Sequence, residues 1–80
     1  MHQLEFLVEP FVEGHPGPHV RAAVEAAEAA GAEVEFGPFG STCRAESALM
    51  PAIVAAVTSA AMSHGATHIS LQVIDLGSDT

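Results

Sequence analysis

The chain has 80 residues, with ten acids against Arg21 and Arg44 for a formal charge of −8. That balance excludes the basic footprint nucleic-acid binding needs, and a single cysteine, Cys43, excludes an internal disulfide. One small domain over 1–80 is expected, with a modest core and a loose tail at 76–80, so extra stability should come from oligomerisation as a homo-oligomer, a dimer or a tetramer.

No basic n-region marks a signal peptide. The most apolar stretch, "ALMPAIVAAVTSAAM", is too short to span a bilayer and contains Pro51. A lone thiol fits a reducing compartment. A cytoplasmic protein without membrane contact is the expectation.

The first element is "QLEFLVEP". Leu4, Phe6 and Val8 fall on one face and Glu5, Leu7 and Glu9 on the other, which predicts a half-buried strand closed by Pro10. A loop rich in proline and glycine follows. In "PHVRAAVEAAEAAG", Val20, Ala23, Val24 and Ala27 form a helical stripe, with Arg21, Glu25 and Glu28 facing away. Pro18 suits the first helical position and Gly31 the stop.

"AEVEF" alternates again, with Val34 and Phe36 inward and Glu33 and Glu35 outward. "GPFG" reads as a turn into a short return strand, "STCRAE". "SALMPAIVAAVTSAAMSHG" reads as a second helix with Leu49, Ile53, Ala56, Val57 and Ala60 as its stripe. Ser47 is a candidate N-cap, and Pro51 pushes the start somewhat later. Gly65 ends the helix. "HISLQVID" is the last strand, with Ile69, Leu71 and Val73 expected inward. The order βαββαβ predicts an α+β, ferredoxin-like fold: a four-stranded antiparallel sheet with two helices on one face.

In that topology the loops at 9–19, 37–41 and 63–68 meet at one end of the sheet and gather His15, His19, His64 and His68. Imidazoles with Glu13 or Glu9 would suit zinc. His15 and His19 straddle Pro16-Gly17-Pro18, however, so they do not share a helical face as an HExxH pair does. No metal is expected, and the histidines read as a polar rim.

The face of the sheet away from the helices should carry Glu5, Leu7, Glu9, Glu33, Glu35, Thr42, Arg44, Ser70, Gln72 and Ile74. Acids, one cation, hydroxyls and an amide would suit a ligand with a cationic or hydrogen-bonding ring. They would equally suit a subunit interface in which Arg44 pairs an acid, or a solvated face. Residues 47–74 contain no Asp, Glu, Lys or Arg. The outer side of the second helix, including Ala52, Ala55, Ser59 and Met62, therefore suggests contact with another subunit.

No GxGxxG, P-loop or GxSxG occurs. Cys43, on a strand and facing the core, reads as an inert small hydrophobe. The residues announce no catalytic activity, and no pair of acids is placed as general acid and base.

"LEFLVEPFVEGHPGPHV", "AGAEVEFGPFGST" and "SHGATHISLQV", over residues 4–73, resemble the small thiamine-binding proteins of the YkoF-like superfamily. The resemblance implies a ferredoxin-like fold and assembly through the sheets into dimers and tetramers. It implies binding of thiamine or its hydroxymethylpyrimidine moiety without catalysis, and no cofactor. The chain departs from the pattern at Arg44-Ala45, where the family often has Glu-Gly, and at His68, where it often has Arg. With thiamine as ligand, Glu5, Glu9, Glu33 or Glu35 would offset the thiazolium charge. Ser41, Thr42, Ser70 or Gln72 would read the pyrimidine, Arg44 would stand beside them, and Phe39 or Phe11 would stack on a ring. The other class of reading is a structural or regulatory homo-oligomeric assembly module with no small-molecule ligand.

Overall fold

Alternation along β1 (His2–Glu9) organises the molecule, because its even residues Leu4, Phe6 and Val8 are buried and its odd residues are not. The structure is a computed structural model and describes residues 1–10, 17–37 and 40–77. After β1 come α1 (Pro18–Ala29), β2 (Glu33–Phe36), β3 (Ser41–Ala45), a 3-10 turn (Ser47–Leu49), α2 (Met50–Ser63) and β4 (His68–Asp75). The four strands form one antiparallel sheet in the order β2-β3-β1-β4. This is the ferredoxin-like arrangement.

Pro18 stands in the first turn of α1, where no backbone donor is missed. Val20, Ala23 and Ala27 are its buried stripe, and Arg21, Glu25 and Glu28 are exposed. Gly31 takes φ +103°, which lets the chain leave the helix toward β2. α2 starts at Met50 with Pro51 in its first turn and buries Met50, Ile53, Val57 and Ala61. The two helices pack on each other and on β1, and the core lies between them and the sheet.

Several expectations need correction. Ser47 is not the N-cap of α2. Leu49 holds that place without a side-chain bond, and Ser47 Oγ accepts a hydrogen bond from the Met1 ammonium at 3.1 Å. Leu49 leaves the buried stripe because it ends the 3-10 turn before α2 begins, and Met50 is buried in its place. Phe36 keeps the helix-side register, opposite Ser41, but sits at the sheet margin beside Arg21, Val24, Glu25 and Glu28 and is 48% exposed. Leu71 and Val73 pair with Phe6 and Leu4, so they face the helix side, yet they are 37% and 48% exposed. Helical cover reaches β1 and stops short of the outer half of β4.

Ile53 is fully buried and Met62 is half exposed. Ile53→Val should cost about 0.5–1.5 kcal/mol in urea unfolding, and Met62→Ala should stay within about 0.5 kcal/mol. Equal midpoints for the two variants would contradict this placement of the core.

Candidate functional site

The odd residues of β1 build the open face in cross-strand rows. One row runs Glu35, Thr42, Glu5, Gln72 across all four strands, and its neighbour runs Glu33, Arg44, Gln3, Ile74. Leu7 lies opposite Ser70. A concavity of about 670 Å³ sits over this face, lined by Glu5, Leu7, Thr42, Ser70 and Gln72, with Gly37 and Gly40 at its end. Phe6, Ser41 and Leu71 also border it. Strand alternation turns their side chains to the helix side, so they contribute main chain to its floor.

Gly37 and Gly40 stand at the end of the groove, where β2 and β3 approach the hairpin turn. Gly37 N–H donates to Gly40 O at 2.7 Å. A Cβ on Gly40 would stand 3.0 Å from the carbonyl oxygen of Phe6, so β1 approaches that point more closely than a larger residue permits.

Glu5 is held from one side by a short relay. Arg44 Nε donates to Gln3 Oε1 at 3.0 Å, and Gln3 Nε2 donates to Glu5 Oε2 at 3.4 Å. The guanidinium orients the amide, and the amide orients the carboxylate. The Arg44–Gln3 bond is exposed and the Gln3–Glu5 bond is part-buried and long, so both contribute little stability. The relay's effect is to hold the carboxylate on the Gln3 side of the row that Glu5 shares with Thr42 and Gln72.

Of the residues singled out in the sequence, Glu5, Ser41, Thr42, Ser70 and Gln72 line the groove. Ser41 borders the groove but is itself buried, on the helix-side register of β3. Arg44 shares the face but stands outside the lining, in a smaller hollow with Glu33, Glu35 and Thr42. Glu9 shares the face too, one pair beyond Leu7 and opposite His68. Its carbonyl accepts from Thr67 N at 2.8 Å and from Thr67 Oγ1 at 3.3 Å, which ties β1 to the loop before β4. Phe39 lies outside the described residues, as do Phe11, Glu13 and His15. Gln3 was missed because periodicity marks a face and not the bonds along it. Its place one step before Glu5 on the same face was the available signal.

The described loop histidines are occupied locally. His19 Nε2 donates to the Pro10 carbonyl, His64 Nδ1 donates to Ala60 O at 2.8 Å, and His68 Nδ1 bonds with Thr67 Oγ1 at 3.0 Å. Among the described residues no three His, Cys, Asp or Glu side chains lie close enough to share a metal ion. Among them, too, no helix is long and apolar enough to cross a membrane.

Cys43 is 1% exposed on the helix side of β3, and burial pushes its thiol above the ordinary range. A raised folded pKa means the neutral thiol is the favoured native form. Its stability contribution is complete below the unfolded thiol pKa and is lost as pH rises through the folded one. In alkaline buffer a thiol reagent should therefore modify native protein at least roughly 100-fold more slowly than urea-unfolded protein, because reaction waits on opening. Equal rates would place Cys43 at the surface.

No protein-family model matches the chain, and no curated protein matches it at a significant level. Solved structures do match. One is a domain of unknown function, DUF77, from Bacillus cereus, with 20% identity and a TM-score of 0.64, covering 91% of this chain and 71% of that one. Another is a protein from Streptococcus pneumoniae, with 17% identity and a TM-score of 0.58, covering 98% and 88%. At these identities the likeness establishes the ferredoxin-like fold.

Proposed function

We propose that the protein is a non-enzymatic binder of thiamine or its hydroxymethylpyrimidine moiety, allied to the YkoF-like thiamine-binding proteins and serving vitamin salvage, transport or buffering in the cytoplasm. The observation that carries this reading is the row Thr42, Glu5, Gln72 across the groove. It sets one oriented carboxylate between a hydroxyl and an amide, which together match a cationic ring joined to a ring with donors and acceptors. Leu7 supplies an apolar wall. The volume of about 670 Å³ is within the roughly 300–1,000 Å³ usual for small-molecule sites. Glu33 and Glu35 add negative potential nearby.

Calorimetric titration with thiamine, and in parallel with hydroxymethylpyrimidine, tests the proposal. Saturable binding is expected, with Glu5→Gln weakening thiamine at least about tenfold and Thr42→Ala by a smaller factor. Glu9→Gln, outside the groove, should change affinity by less than about twofold. No heat and no change in melting temperature with either compound would sink the proposal.

A second reading, an assembly module without a ligand, is favoured by the uncharged run at 47–74, which leaves Met62, Leu71 and Val73 exposed. An intact oligomer that binds neither compound would decide for it.

A further inference from the structure

The margin of the sheet at β2 combines a free backbone edge, an exposed aromatic ring and four carboxylates. β2 ends the strand order, and among the described residues it pairs with β3 alone. Its outer N–H and C=O groups therefore face away from the sheet. Acids flank this edge on both faces. Glu33 and Glu35 are exposed on the open face, and Glu25 and Glu28 are exposed on α1. Between helix and strand lies a hollow of about 290 Å³ lined by Arg21, Val24, Glu25, Glu28 and Phe36. Phe36 stands 48% exposed there, although its register turns it to the helix side.

We infer that this margin docks an extended, basic segment of another protein, which adds to β2 as a fifth strand. Successive side chains of such a segment alternate between the two faces. Those on the open face meet Glu33 and Glu35. Those on the helix side meet the hollow, with its apolar members Val24 and Phe36 and its acids Glu25 and Glu28. The matching segment carries lysine or arginine at alternate positions with apolar residues between them. Its main chain supplies the ladder, and its side chains supply the selectivity.

Charge selects this partner over a second copy. The chain holds two bases, Arg21 and Arg44. Arg21 lies in the hollow, and Arg44 stands one strand inward, opposite Glu33 and bonded to Gln3. Directly opposed residues share a face. In the two central antiparallel registers that keep both pairs of helices on one side, a second β2 would set Glu33 against Glu35, or Glu35 against itself. Like charges directly opposed are destabilising, and a basic strand reverses the sign. A four-residue edge with one exposed ring suits a transient complex.

Magnetic resonance titration of isotopically labelled protein tests the docking apart from the groove. The probe is a peptide of about seven alternating lysines and valines, with no thiamine present. Saturable binding below about 1 mM is expected, with amide shifts at Glu25, Glu28, Val34, Glu35 and Phe36 and none at Gln72. Phe36→Ala should weaken it at least about fivefold. Glu35→Lys should weaken it at least about tenfold. Glu46→Lys changes the net charge equally, but its exposed position lies beyond the far end of β3, and it should weaken binding less than about threefold. The same peptide N-methylated along its backbone keeps its charges and loses the ladder, so it should bind at least about tenfold more weakly. No saturable binding at millimolar peptide would overturn the inference. Equal losses in Glu35→Lys and Glu46→Lys, or undiminished binding of the N-methylated peptide, would overturn it too, because attraction to the acidic chain as a whole would then suffice. Shifts centred on the groove or on β4 would overturn it by moving the site.

Discussion

Everything in this molecule depends on the two-residue period of β1. Its even side chains, Leu4, Phe6 and Val8, fill the space under the helices. Its odd side chains, Gln3, Glu5 and Leu7, make the central strip of the open face. Because β1 is hydrogen-bonded on both edges, to β3 and β4, its register fixes which residues of those strands join each face. A slip of one residue would carry Glu5 into the core and Leu4 into the groove, so burial of the apolar set also fixes the site.

This division separates stability from recognition. The groove residues lie on the side of the sheet away from the helices, and the relay from Arg44 through Gln3 to Glu5 runs over an accessible surface. Charge on such a surface contributes little to folding. It sets the direction of a carboxylate and the sign of the local field. The core rests instead on a few large side chains, Leu4, Ile53 and Val57 among them, with many alanines between. Small residues let the helices sit close to each other. They also make helical cover narrow, and the outer half of β4 is left bare.

Much of this was legible in the residues. Alternation in β1 and β2, Pro18 and Pro51 in first turns, and Gly65 after α2 mark the elements and their order directly. The groove was half legible. Glu5, Thr42, Ser70 and Gln72 follow from which face each strand turns outward, but their meeting in one row needed the register. Exposure of Leu71, Val73 and Phe36 was not legible, because the pattern tells the face and not how far a helix extends over it. Leu49 fell outside the buried stripe for a local reason, the 3-10 turn that delays α2. Gln3 was hidden because an amide on an alternating strand gives no sign of the two partners it bridges.

The central claim is that Glu5, Thr42 and Gln72 form a binding row for a cationic, hydrogen-bonding ring compound. The most direct measurement is a thiamine titration followed by amide chemical shifts of isotopically labelled protein. The account predicts saturable shifts at Glu5, Leu7, Thr42, Ser70 and Gln72, with the exposed side of α1 unmoved. Saturable shifts confined to the helix side, or none at millimolar thiamine, would contradict it.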